Sequence, residues 1–159
     1  GKSTLTKNLS EHFKCTAVDE AGRDIIANSN HFDFTALELV ASEHAKRIHA
    51  AMKGDSPLLI IDTDIHITKS YAQFVFKKEL AVSEAIYQAN KADLYLYLDK
   101  DIPYYQDGTR LHEEERNAID ASHRSVLNQH HINFVEISGN WDQRFTKSVA
   151  AINDLMKKY

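Results

Sequence analysis

The segment Leu58-Leu59-Ile60-Ile61-Asp62-Thr63-Asp64 decides the fold. Four consecutive apolar residues without polar alternation predict a strand covered on both faces, the pattern of a parallel sheet between helices. The run stops on two carboxylates. In an open parallel sheet the ligand crevice lies beyond the carboxyl ends of the strands, where these acids stand. Upstream, Gly54-Asp55-Ser56-Pro57 terminates a helical pattern from Phe34 to Met52, in which Leu37, Val40, Ala41, His44, Ala45, Ile48 and Met52 recur at helical spacing.

Other apolar runs end in the same way. Thr16-Ala17-Val18 leads into Asp19-Glu20-Ala21-Gly22-Arg23-Asp24, and Ala92 to Leu98 leads into a polar stretch from Asp99 to Asp107. Ile132 to Ile137 predicts a last strand, closed by the turn Ser138-Gly139-Asn140. Between them, helical spacing covers Thr4–Lys14, Thr68–Phe76, Ser83–Asn90, Leu111–Gln129 and Trp141–Lys157. Alternating strands and helices predict an α/β fold with a mostly parallel sheet, as one domain over residues 1–159.

Bulk composition narrows the function. The net charge of −4, with nine histidines left neutral, gives no basic field for nucleic acid. No apolar run approaches the ~20 residues of a membrane span, no signal peptide is visible, and the single Cys15 fits a reducing compartment. The expectation is a cytoplasmic protein with neither a nucleic-acid nor a membrane partner. No histidine pair stands at zinc spacing with a third ligand, so no structural zinc is expected.

The chain begins Gly1-Lys2-Ser3-Thr4, followed by an amphipathic helix. These residues match the second half of a phosphate-binding loop. Backbone amides at a helix start hold phosphate oxygens, Lys2 reaches the β- and γ-phosphates, and Ser3 offers a hydroxyl to Mg²⁺. Asp62, at a strand end, is the expected carboxylate for the same metal. Asp64 is assigned to a substrate hydroxyl, so that the two acids divide the work. Glu20 is the preferred proton acceptor, with Asp24 behind it and Arg23 offsetting phosphate charge. Arg110, after Asp107-Gly108-Thr109, is expected to close over ATP, and Tyr104 and Tyr105 to stack on a flat ring. Trp141 and Arg144 suit adenine contacts; an equally good reading of Trp141 is an anchor for the last helix.

Together, "GKST", "DEAGRD", "LLIIDTDI", "DGTR" and "WDQRF" occur in the order seen in the ribosylnicotinamide kinase domain of NadR-type proteins, within the P-loop NTPases, and the sequence resembles that domain over nearly its whole length. The resemblance implies a three-layer nucleoside-kinase-like fold and transfer of the ATP γ-phosphate to the ribose 5′-hydroxyl of nicotinamide riboside, with Mg²⁺. It carries over Lys2, Ser3 and Thr4 as the nucleotide loop and Asp62 and Asp64 as the Asp-Thr-Asp motif. Glu20, Gly22 and Arg23 match the Glu-x-Gly-Arg motif, and Gly108 and Arg110 the lid segment. The alternatives are a nucleotide-gated ATP- or GTP-binding module without a small acceptor, or a kinase for another nucleoside. The first glycine of the loop signature and the strand before it are not in the sequence. We therefore expect a domain truncated within that loop, a gap between the strands ending at Val18 and Ile61 or irregular packing there, and poor or absent catalysis.

Overall fold

In the computed structural model the described residues are 1–28, 33–101 and 112–159. They form two compact units, Gly1–Lys91 and Ala92–Tyr159. Both are built from short parallel strands and helices, an α/β arrangement of the P-loop NTPase type.

The first unit runs α1 (Lys2–Phe13), β1 (Thr16–Val18), α2 (Ala21–Asn28), α3 (Phe34–Met52), β2 (Leu59–Ile61), α4 (Ile65–Phe76) and α5 (Glu84–Asn90). β1 pairs in parallel with β2, Thr16 opposite Leu59 and Val18 opposite Ile61. The expected gap between these strands is absent. A strand–helix–strand crossover normally returns its second strand beside its first, and the Asp62 amide extends the ladder by donating to Val18 O at 2.9 Å. α1 and α3 both pack against this pair. β2 is half-buried rather than fully covered, because its only hydrogen-bonded neighbour among the described residues is β1.

α3 has the bounds its sequence predicts because both ends are marked. Asp33 accepts the Ala36 amide at 2.8 Å as its N-cap, and the helix ends just before Gly54. Its inward stripe of Ala36, Leu37, Val40, Ala41, His44 and Ile48 is buried, whereas Met52 is exposed. Leu37 meets Ala72 and Leu80 in a core lined by Phe34, Tyr71, Phe76 and Val82. α2 was not anticipated: eight residues containing Gly22 carry little helical signal of their own. It is held from outside by packing on α3, and Arg47 of α3 donates to Asp24 at 2.7 Å.

The second unit runs β3 (Leu96–Leu98), α6 (Glu113–Gln129), β4 (Val135–Ile137) and α7 (Trp141–Met156). β3 pairs in parallel with β4, Leu96 opposite Val135. Three glutamates open α6, where the helix dipole favours negative charge. Arg124 of α6 lies over the Tyr97 ring, 4.6 Å from its centroid, and bonds Asp120, Glu136 and Asp99. Asn140 and Gln143 form a reciprocal capping box at the start of α7. No helix among the described residues is long and apolar enough to cross a membrane.

Candidate active site

Gly1 is the N-cap of α1 and contributes no side-chain cap. The first intrahelical bond runs from the Leu5 amide to Gly1 O at 3.1 Å, so the preceding amides lack intrahelical acceptors, as at any helix start. Beside them lies the end of β2. Ser3 Oγ donates to Asp62 Oδ2 at 2.9 Å, Thr63 Oγ1 donates to Asp62 Oδ1 at 3.2 Å, and Lys2 Nζ donates to Thr63 Oγ1 at 3.5 Å. Asp62 is only 4% exposed. A hydroxyl and a buried carboxylate in contact form an oxygen donor pair of the kind Mg²⁺ uses when phosphates complete its shell. The residues present therefore fit that ion.

Thr63 has φ +69°. A β-branched residue in the left-handed region costs about 1–3 kcal/mol and persists only where its surroundings impose it. The turn sends Asp64 away from Asp62 and into the start of α4. There Asp64 is the N-cap, its Oδ1 accepting the His66 amide at 3.0 Å. Its Oδ2 lies 2.6 Å from His66 Nδ1, and His66 Nε2 lies 3.0 Å from the Tyr87 hydroxyl. His66 is wholly buried, at 0% exposure.

Glu20 follows β1 and is partly buried, with no hydrogen bond or ion pair among the described residues. Its Oε1 lies 3.7 Å from where a Cβ on Gly22 would sit. Its charge reaches Tyr71, where burial first and Glu20 second hold the phenol pKa above its usual value. Asp24 is mostly exposed and bound to Arg47, which also bonds Glu43. Arg23 lies in α2, but its side chain falls outside the described residues, as do Tyr104, Tyr105, Asp107, Gly108 and Arg110 entirely.

Trp141 opens α7 and is 51% exposed. Arg144 is 2% exposed, and its guanidinium bonds Gly139 O at 2.8 Å, Asp99 O at 2.9 Å and the Asp101 carboxylate. It ties the end of β3 to the turn after β4. The Gly139 amide and Arg144 together hold the Asp101 carboxyl below its usual pKa despite some desolvation.

Sequence reasoning gave His44, His66 and Tyr87 no part in the site, although it placed His44 on the helical stripe of α3. His44, on α3, is 3% exposed, and its Nε2 has no hydrogen-bond partner among the described residues. Burial lowers its pKa, with Arg47 acting in the same direction and Asp64 and Asp62 opposing. The one available signal for His66 was its place two residues after a strand-end aspartate, where a capped helix begins.

With this geometry in place, the class is defined: the chain matches the AAA-domain family over residues 1–144 and belongs to it. It is a P-loop nucleotide-binding domain of kinase-like type. More particularly, it is 28% identical to the trifunctional NAD biosynthesis/regulator protein NadR of Salmonella typhimurium strain LT2, over 98% of this chain and 40% of that protein. The protein of the same name from Escherichia coli K12 is 27% identical over the same shares. The chain thus spans about two fifths of the length of these curated relatives.

Proposed function

We propose that residues 1–159 act as one kinase domain that transfers the γ-phosphate of Mg-ATP to the ribose 5′-hydroxyl of nicotinamide riboside. The observation that carries this reading is the Ser3–Asp62 contact at 2.9 Å beside Lys2 and the open start of α1. The acceptor is supported by the resemblance to NadR-type domains and by the relatives' naming as NAD biosynthesis proteins.

Gly1, Lys2, Ser3 and Thr4 bind the phosphates through helix-start amides and the Lys2 charge. A magnesium ion held by Ser3 and Asp62 would supply charge neutralisation at the β- and γ-phosphates. Asp64 accepts a hydrogen bond from an acceptor hydroxyl and so orients it. The 5′-oxygen attacks the γ-phosphorus, the bond to the β,γ-bridging oxygen breaks, ADP leaves, and the hydroxyl proton passes to the Glu20 carboxylate. Arg23 and Arg110 offset charge on the transferring group, and Tyr104, Tyr105 and Asp107 border the acceptor. Trp141 offers its exposed face to adenine, with Arg144 holding the turn beneath it.

The test is ADP formation with and without nicotinamide riboside. Slow but riboside-dependent turnover is expected, falling by about 10²-fold or more in Glu20→Gln and by less than about threefold in Asp24→Asn, whose exposed pair with Arg47 contributes little. ATP binding with no response to any riboside would refute the kinase reading and favour the nucleotide-gated module. Turnover with a different riboside only would reassign the acceptor.

A further inference from the structure

Asp64 is a carboxylate with both oxygens already engaged. Oδ1 takes the His66 amide at 3.0 Å, and Oδ2 meets His66 Nδ1 at 2.6 Å. The same imidazole continues to Tyr87 Oη at 3.0 Å, and the two rings meet edge-on at 5.5 Å. Tyr87 sits on α5, and Lys91 covers its ring at 5.9 Å. Three side chains from two helices thus form one line, with its middle member completely enclosed.

We infer that His66 is a positioning residue, through which Tyr87 on α5 fixes the rotamer of Asp64 and so the orientation of the acceptor hydroxyl. The donor and acceptor order follows from the chemistry. A carboxylate only accepts, so Nδ1 carries the hydrogen; in the neutral ring Nε2 is then an acceptor, and the phenol donates to it. Burial first and the Asp64 charge second raise the Tyr87 pKa, which agrees with a phenol that keeps its proton. A carboxylate bound twice on its own helix cannot swing to follow a badly placed ligand. Only lone pairs directed away from His66 remain for a hydroxyl, which favours donors held in one direction.

Capping does not require this arrangement. The Oδ1 bond to the His66 amide already completes the cap, and any residue at position 66 has that amide. The imidazole line adds orientation to a carboxylate that is already anchored, and it makes α5 part of the site.

The inference rests on the proposed acceptor role of Asp64, so the test has two separable arms. In the first, NMR of isotope-labelled histidine in the intact chain reads the His66 ring without catalysis. The structure calls for a proton on Nδ1 and an accepting Nε2 whose resonance moves in Tyr87→Phe. An Nε2-protonated ring that does not respond to Tyr87→Phe overturns the inference. In the second arm, steady-state kinetics compare Tyr87→Phe and His66→Asn with the parent. Asn retains a donor toward Asp64, so it is the milder change at that position, and Tyr87→Phe keeps the ring packing.

Tyr87→Phe is expected to raise the riboside KM roughly tenfold with the KM for ATP within about twofold of the parent. His66→Leu is expected to be the most severe, with His66→Asn between it and Tyr87→Phe. A riboside KM unchanged in Tyr87→Phe and in His66→Asn, or an ATP KM raised in parallel, overturns the inference. A parent chain that shows the expected ring state yet turns over no riboside refutes the functional reading alone; the ring state would still support the fixing of Asp64.

Discussion

Replacing Asp62 by Asn separates the proposed metal-binding role from a structural one. The substitution is isosteric, and the backbone is unaffected because the Asp62 amide stays bonded to Val18 O at 2.9 Å. Without ligand, Asn retains an acceptor for Ser3 Oγ, meets Thr63 Oγ1 with an amide N–H that this hydroxyl can accept after rotating, and loses the charge on a side chain only 4% exposed. A bond to a charged group contributes about 1.5–3 kcal/mol and a neutral one about 0.5–1.5, so roughly 1 kcal/mol is lost. Relief from burying a carboxylate offsets it, leaving ligand-free stability within about 1 kcal/mol of the parent. With Mg-ATP the balance differs. Removing one partner of a buried charge pair costs about 3–5 kcal/mol, which is a rise in Kd of roughly 10²–10³-fold or more. The assay is calorimetric titration of ATP with excess Mg²⁺ and again with a chelator, alongside denaturant unfolding of the ligand-free chain. The expected result is loss of most of the Mg²⁺-dependent gain in affinity, with chelated ATP binding little changed. An unaltered Mg²⁺ dependence would refute the reasoning. So would a ligand-free destabilisation as large as the binding loss, because Asp62 would then be a structural acceptor for Ser3.

Two further outcomes follow from particular residues. His44 is held neutral by burial, so its folded pKa lies below the ordinary 6.5. The unfolded chain therefore binds a proton first as pH falls, and stability declines from about pH 7 downward until the depressed value is passed; a His44→Leu curve with the same slope between pH 7 and 5 would count against this. Gly139 has φ +102°, and a Cβ there would lie 2.4 Å from Gln143 Oε1 and 3.0 Å from its Cβ. Gly139→Ala should displace Gln143 from the capping box and strain the turn, costing about 2–4 kcal/mol in urea unfolding; a loss below about 0.5 kcal/mol would show that the turn adapts.

Local signals were legible and non-local ones were not. Phe34 to Met52 could be bounded because a buried stripe, an aspartate cap and a glycine terminator all lie within the segment. The strand ends at Val18, Ile61 and Leu98 were equally visible as apolar runs stopping on acids. α2 was not, since its stability comes from α3 and from Arg47, more than twenty residues away in sequence. The neighbour relation of β1 and β2 was also hidden, because it is set by the crossover through α3 and not by either strand. In the site, Ser3 and Asp62 were each recognisable by type and place. Their meeting across 59 residues depends on β2 lying beside β1. Tyr87 gave no signal at all: its partner is 21 residues upstream, and no spacing rule links residues on different helices.

The division of labour between Asp62 and Asp64 has a cause that their spacing does not supply. Alternation along a strand would place residues two apart on the same face of a pleat, but β2 ends at Ile61, before either residue. The separation is made by Thr63 at φ +69°. Its hydroxyl donates back to Asp62 and receives Lys2, so the bonds that impose the turn belong to the phosphate side of the site. The residue after the turn becomes the cap of α4 and passes to His66. A single strained residue therefore lies between a carboxylate facing the start of α1 and a carboxylate locked to α4. Because Lys2 bears on that residue, phosphate bound at Lys2 would compete for the bond that steadies the turn. On the proposed function the two halves of the site are thus linked through Thr63 Oγ1, and this link, more than the acidic motif by itself, would make Asp-Thr-Asp one unit.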